Sequence, residues 1–292
     1  MSPVAERGTV PRVSSNLQTL SVIYPVPRWS PRWAVPEVPV PESDLHDCAI
    51  EYVRALLEFW LSQQVSSGQE SPGRIARNLG IRWVEEEPKA GFDPDLCLLS
   101  PIPPDQPLTS LRLWQAGHHA PKLAIEVVSP GHPYKDYVDT PERCGACGIS
   151  ELWVYDPLLA GPRQHGGGPF LLQVWRLEAP EAMRRVYAGD GPAYSEVLGA
   201  HLHPTATTNP HQARLRIGSA DGQKLWLTRA EHERNQRKRV ERERERAQKE
   251  LERAQKELER AQKALEKERE RADAESAKRR RLQAELERLR KG

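Results

Sequence analysis

The hydrophobic pattern along the chain predicts one helix followed by a series of strands. Between 44 and 64, Ile50, Val53, Leu57 and Trp60 recur on one face of a helix. Further along, short apolar runs are bounded by turn residues, and several are continuous, as in strands covered on both faces of a mixed sheet. The predicted segments are a loop at 65–79 and strands at 81–86, 95–99, 111–114, 122–128, 151–157, 170–177, 184–188 and 213–218. This order of elements predicts an α/β fold with a mixed central sheet flanked by helices.

A second, short helix is predicted between two of the central strands. Ser129 and Pro130 end the strand at 122–128, and Thr140 followed by proline is a favourable helix start, with the threonine as cap. Gly148 is the matching stop, because glycine adopts the left-handed conformation there without steric conflict. A helix at about 141–147 would therefore join two strands, which are expected to be parallel.

The C-terminal segment has a different, seven-residue pattern. Residues 247–270 repeat AQKELER with small changes, which sets leucines at position a and alanines at position d of a heptad. The same frame continues to Leu282, Leu286 and Leu289, although Glu268, Ala272, Glu275 and Arg279 weaken the middle of the seam. The pattern predicts a coiled coil and hence self-association. The alternatives are a single charged helix, or a basic nucleic-acid arm built on 234–240 and 278–281.

Composition divides the 292 residues in the same way. From Arg229 onward there are 23 Lys and Arg against 16 Asp and Glu, with no proline and no aromatic residue. The remaining 20 basic and 25 acidic residues give residues 1–228 a charge near −5, and the tail a charge near +7. We therefore expect a poorly ordered Pro-rich leader at 1–42, a folded domain at 43–228, and a charged helix or coiled coil at 229–292.

Cysteine usage and hydropathy indicate the compartment. Four cysteines without a signal peptide favour a reducing, cytoplasmic environment. Cys144 and Cys147 form a CxxC pair, but no second pair stands at zinc-ligand spacing, so structural or surface thiols are expected. No run approaches the ~20 apolar residues of a membrane span, so no membrane partner is expected.

Two acidic residues interrupt the apolar strands. Glu126 lies within LAIEVV, and Asp95 begins DLCLL. A lone buried carboxylate is unfavourable by several kcal/mol unless it is paired, hydrogen-bonded or bound to a metal. Two acids on adjacent central strands are one way of holding Mg²⁺, which takes oxygen ligands and polarises a phosphoryl oxygen. The alternative is that Asp95 caps a turn and Glu126 pairs with an arginine.

The motifs in this region resemble those of the Uma-family restriction endonucleases, a branch of the PD-(D/E)xK nuclease superfamily. The resemblance rests on Pro94-Asp95 before an apolar strand, Glu126-Val-Val-Ser-Pro at the end of another, Asp136, and Gly148-Ile-Ser-Glu-Leu-Trp. It covers roughly 44–228. It implies a restriction-endonuclease-like fold and a metal-dependent endonuclease acting on DNA, with Mg²⁺ or Mn²⁺ held by Asp95 and Glu126.

One departure concerns the lysine that this superfamily places beside the metal. The superfamily's usual position is Val128 here, and the Uma-family position, four residues after Asp136, is Thr140. The family's tyrosine one turn later is also replaced, by Cys144. Lys135, or Lys122 from the strand start, could reach back to the site. Either Lys135 takes the role, or catalysis is attenuated or lost; the alternative function is then an inactive nuclease-fold protein that binds nucleic acid or assembles through its coiled coil.

Overall fold

A computed structural model describes residues 28–34, 44–66, 73–104, 107–163, 168–179, 182–205 and 214–291. Most of the predicted leader lies outside these ranges. The chain divides into two compact units, one up to Arg229 and one from Ala230.

The described part of the first unit contains two α-helices and a series of short strands. Helix α1 spans Asp44–Ser66 and α2 spans Thr140–Cys147, the latter preceded directly by a π-helical turn at Lys135–Asp139. The strands are β1 (Arg74–Arg77), β2 (Gly80–Arg82), β3 (Gly91–Phe92), β4 (Leu96–Leu99), β5 (Ser110–Arg112), β6 (Leu123–Val127), β7 (Glu151–Tyr155), β8 (Leu172–Ala179), β9 (Ala182–Gly189), β10 (Ala193–Ser195), β11 (Ala200–Thr205) and β12 (Arg214–Gly218).

The central sheet is mixed, as the sequence predicted. Its order is β1-β4-β6-β7-β8-β9, with β6 and β7 parallel and the other neighbours antiparallel. Helix α2 lies between β6 and β7 along the chain, which confirms the predicted parallel strand–helix–strand unit. Two smaller sheets have the orders β3-β2-β5 and β10-β11-β12. The α/β fold class is confirmed.

Hydrophobic residues cover both faces of the central strands. Ile125 and Val127 of β6 pack in one cluster with the buried face of α1, whereas Ala124 packs in a second cluster with Cys144 and Cys147 of α2. Every residue of β4, β6 and β7 is buried. The continuous apolar runs therefore mark central strands, as predicted, and Glu126 lies between two layers of core.

Two local predictions are wrong. Residues 74–77, predicted to be loop, form β1, which pairs antiparallel with β4. Thr140 is not a helix cap, because the backbone is already helical before it and its N–H donates to the carbonyl of Lys135, closing the π-helical turn. Gly148 does end α2 in the left-handed conformation, with φ of 81°.

A part of the predicted leader packs against this unit. Trp33, in a 3₁₀ turn at Pro31–Trp33, is fully buried, and its ring centroid lies 5.9 Å from that of Trp83. The indole N–H of Trp83 donates to the carbonyl of Arg28 at 2.8 Å. Burial of a large aromatic side chain fixes these residues, although the surrounding segment is rich in proline.

The second unit is one long helix, α3, which spans Arg229–Lys291. Its leucines at 251, 258 and 265 are exposed, by 52%, 60% and 69%. Among the residues that the structure describes, no helix is long and apolar enough to cross a membrane.

Candidate active site

Strands β4 and β6 bring Asp95 and Glu126 together. Leu96 pairs with Ile125 and Cys97 with Ala124, so continuing this antiparallel register by one residue sets Asp95 opposite Glu126. Both carboxylates are buried, with exposures of 7% and 1%. Burial raises the pKa of Glu126, and the nearby charge of Asp95 raises it further, as expected for two like charges.

Asp95 is fixed by groups from two elements. Its Oδ2 accepts a hydrogen bond from the backbone N–H of Val127 at 2.7 Å and lies 3.4 Å from Nε2 of His46. The same Nε2 is 2.6 Å from the carbonyl oxygen of Val127. His46 thus connects α1 to the site, a contact that the sequence analysis missed. The available signal was a histidine four residues before Ile50, on the buried face of α1.

Glu126 has an incomplete set of partners. Its Oε2 lies 3.7 Å from Nζ of Lys135, whereas its buried Oε1 makes no hydrogen bond within the described part of the chain. Burial raises the pKa of Glu126 well above that of an ordinary glutamate; Lys135 lowers it, and Asp95 and Asp136 raise it further. Additional positive charge beside this carboxylate would therefore favour its ionised form.

Lys135 reaches this site from the first position of the π-helical turn. Its Nζ is also 3.7 Å from Oδ1 of Asp136, and its side chain is 43% exposed. The pKa of Lys135 is raised, mainly by Glu126, so the ammonium keeps its proton at neutral pH. Lys122, the other candidate, lies exposed beside the opposite end of β6.

Asp136 is a third carboxylate of the cluster. It is buried, and its Oδ2 accepts a hydrogen bond from the backbone N–H of Ser129 at 3.4 Å. Burial raises the pKa of Asp136 to about 7, although Lys135 lowers it. The sequence analysis matched Asp136 to a motif but did not place it among the site residues.

Residues 36–166 match the model of a known family, Uma2, which is described as "Putative restriction endonuclease". The predicted resemblance is confirmed. The matched range contains α1, β4, β6, α2 and β7, and with them every residue of the cluster described above. Among curated proteins there is no match.

The chain is also similar to solved structures, one of which is the crystal structure of a "putative nuclease belonging to DUF820" from Anabaena variabilis ATCC 29413. The sequence identity is 15%, the alignment covers 55% of this chain and 76% of that chain, and the TM-score is 0.38.

Position 140, where the sequence resemblance leads us to expect a lysine, carries a buried, uncharged side chain. Thr140 is 0% exposed, and its Oγ1 has no hydrogen-bond partner in the described ranges. One turn further along α2, the guanidinium of Arg143 donates to the carbonyls of Gly91 and Arg32, each at 3.3 Å. Burial lowers the pKa of Arg143, while Asp139 and Glu126 raise it. The second positive charge near Glu126 is therefore an arginine, which no sequence motif indicated.

The carboxylates fit a divalent cation that keeps most of its waters. Mg²⁺ is usually held by one or two protein carboxylates, with water or phosphate oxygens at the other positions. The unpartnered Oε1 of Glu126, opposite Asp95, supplies that kind of ligand. Within the described ranges, no group of three or more His, Cys, Asp or Glu side chains is arranged to hold a metal ion by itself.

The CxxC pair belongs to the hydrophobic core. Cys144 and Cys147 are free thiols buried in the core beneath α2, and burial raises the pKa of each. Protonated, buried thiols behave as small apolar side chains.

Proposed function

We propose that this protein is a metal-dependent endonuclease that hydrolyses phosphodiester bonds in DNA. The observation that supports the proposal best is Glu126, an acid in the core of a central strand. It lies opposite Asp95, with one oxygen unpartnered and the Lys135 ammonium 3.7 Å from the other. The Uma2 match over these residues supports the same chemistry at family level.

Asp95 and Glu126 would hold the cation, Mg²⁺ or Mn²⁺. When bound, such a cation supplies electrophilic polarisation of a phosphoryl oxygen. The side chains are already oriented for this task, since the Val127 N–H and His46 fix Asp95 and the strand backbone fixes Glu126. Orientation that precedes binding avoids reorganisation during the reaction.

Lys135 would take the role of the lysine that Thr140 replaces. Its ammonium keeps its proton, so it can donate hydrogen bonds to the attacking water and to the phosphate as negative charge develops there. Asp136, 3.7 Å from the same Nζ, holds the lysine on the side facing Glu126. The partial exposure of Lys135 leaves that ammonium accessible to a bound phosphate.

Plasmid cleavage in Mg²⁺ and Mn²⁺ tests the proposal. Asp95→Ala and Glu126→Ala should abolish nicking, and Lys135→Ala should reduce it by about 10²- to 10³-fold, the usual effect of removing one charge-stabilising donor. Lys122→Ala is the matched control, because it removes an exposed lysine from the opposite end of β6 and should leave cleavage unchanged. Cleavage that survives Glu126→Ala would overturn the proposal.

The buried threonine at position 140 favours a second function, an inactive nuclease-fold protein that binds nucleic acid or supports assembly. This function predicts binding of plasmid DNA without cleavage in either metal. It also predicts that Lys135→Ala weakens DNA binding, because an exposed ammonium is lost, and leaves a background nicking rate unchanged.

A further inference from the structure

The seam of α3 combines apolar residues with an ordered set of charges. In the heptad frame set by Leu251, Leu258 and Leu265, the remaining polar positions are not random. Within the seam, which consists of positions a and d, arginines occur only at a and glutamates only at d. These residues are Arg237, Arg244 and Arg279 at a, and Glu233, Glu268 and Glu275 at d. This separation of charge determines how two copies of the helix can pair.

Parallel pairing in register conflicts with this distribution. In a parallel coiled coil, each a residue faces the same a residue of the partner, and each d faces d. Three layers would then place arginine against arginine, and three would place glutamate against glutamate. An antiparallel pair instead sets position a of one helix against position d of the other, so arginines meet glutamates and leucines meet alanines.

We propose that α3 pairs with α3 of a second copy in antiparallel orientation, in the register that sets Leu251 against Ala261. The two-fold axis then passes at the level of Lys256. Five layers are apolar: Leu251–Ala261, Leu258–Ala254, Leu265–Ala247, Ala272–Val240 and Ala230–Leu282. Three layers are ion pairs: Arg244–Glu268, Arg237–Glu275 and Arg279–Glu233. Each layer occurs twice in the dimer by symmetry.

In registers shifted by one heptad, some charged residues face apolar ones. A shift of one heptad in one direction sets Arg244 against Ala261 and Ala272 against Glu233. A shift in the other direction sets Leu251 against Glu268. Either shift buries a charged side chain against an apolar one, which is unfavourable without a partner.

Residues beside the seam support the same register. Antiparallel helices place e opposite e and g opposite g, which brings Glu241 to Arg269 and Glu243 to Arg271 of the second copy. Glu257 meets its own equivalent at the axis, the one like-charge contact among these flanking pairs. At each leucine layer, a large side chain faces a small one, so the two helices can approach closely. Close approach would bury the leucines that are exposed in the single helix.

The orientation has a consequence for the chain. Position 230 of one helix lies level with position 282 of the other, so the first residues of the paired helices are about 80 Å apart at 1.5 Å per residue. The points at which the rest of each chain joins its helix are therefore held apart, whereas parallel pairing would place them side by side.

Charge reversal in the full-length chain tests the register. Glu268→Arg should weaken the dimer, measured by sedimentation equilibrium, about tenfold or more, because two Arg–Glu layers become Arg–Arg. Adding Arg244→Glu to the same chain should restore the dissociation constant to within about threefold of wild type, by exchanging the charges of the pair. Glu270→Arg is the matched control, since it makes the same charge change on the outer face of the helix.

Parallel pairing predicts a different result. Glu268 would face Glu268 and Arg244 would face Arg244, so each charge reversal replaces one like-charge layer with another. The dimer of the double variant would then be no tighter than that of the single variant. Three results would overturn the proposal. The double variant could form a dimer no tighter than that of Glu268→Arg, or Glu268→Arg alone could leave the dimer unaffected. The third is a wild-type chain that is monomeric at tens of micromolar.

A distance measurement checks orientation independently. A spin label at Arg242→Cys, on the outer face of α3 and in a chain with the exposed Cys48 replaced by serine, would lie about 40 Å from its symmetry mate in the proposed register. Parallel pairing in register would bring the labels within about 20 Å. The short distance would overturn the antiparallel arrangement.

Discussion

The ammonium of Lys135 lies 3.7 Å from Oε2 of Glu126, so the acid in the middle of the LAIEVV strand has a cationic partner from the helical turn that follows the strand. Neither residue belongs to the other's element, and their contact depends on the sharp return of the chain between β6 and α2. The pair accounts for one carboxylate oxygen and leaves the other available for a cation.

We expect Mn²⁺ to bind at Asp95 and Glu126, with an affinity that increases with pH. Protons compete for the carboxylates whose pKa values burial has raised, Glu126 and Asp136, so binding should strengthen between pH 6 and pH 8. Isothermal titration calorimetry measures this, and the Asp95→Ala, Glu126→Ala double variant should not bind. Asp93→Ala is a suitable control, because Asp93 is paired with Arg82 outside the cluster. Binding retained by the double variant would contradict the expectation.

The metal-free protein should become less stable as pH rises toward neutrality. Asp136 has an ordinary pKa of 3.8 when unfolded and about 7 when folded, so the folded state binds more protons between these values. The free energy of unfolding therefore falls as pH increases from about 4 to about 7. Asp136→Asn removes this contribution and should raise the melting temperature at pH 8 relative to wild type, with a smaller difference at pH 4.

Thermal melts in EDTA provide the measurement for Asp136. Asp139→Asn, a partly exposed acid in the same helical turn, serves as the control and should not show the pH-dependent gain. Equal effects of Asp136→Asn at both pH values would show that the raised pKa of Asp136 does not contribute to the pH dependence of stability.

The central carboxylates could be predicted from sequence because the surrounding strands are long apolar runs, in which an acid is conspicuous. Strand β1 could not, since RIAR contains few apolar residues and its pairing with β4 depends on tertiary contact. The π-helical turn before α2 was missed for a related reason. Thr140 followed by proline has the local chemistry of a helix start, and nothing in the local sequence signals that the preceding five residues are already helical.

Thr140→Lys should restore activity to a chain that lacks Lys135. The new lysine would stand where the sequence resemblance leads us to expect one, and because position 140 is buried it would keep its charge only by pairing with a carboxylate such as Glu126. In the Lys135→Ala background we expect a gain in plasmid cleavage of about 10- to 1000-fold. Alone, Thr140→Lys should destabilise the protein by about 2 kcal/mol or more, because position 140 is fully buried rather than a helix cap.

Thr140→Met is the control for that experiment, since it adds length without charge and should not restore cleavage. If Lys135→Ala is as active as wild type, neither lysine position matters and the expectation fails.

The leucine seam of α3 should be required for self-association. Leu258 is 60% exposed in the single helix, and its burial in a dimer would contribute about 1.5–3 kcal/mol per chain. Leu258→Glu places a charge against Ala254 of the partner in two layers and should shift the full-length protein from dimer to monomer in light scattering at tens of micromolar. Lys256→Glu changes charge two residues away, on the outer face, and should leave the dimer intact. Neither substitution touches the Asp95–Glu126 cluster, so both variants should nick DNA at the wild-type rate when DNA is saturating. A loss of nicking confined to Leu258→Glu would mean that association through α3 is itself needed for cleavage.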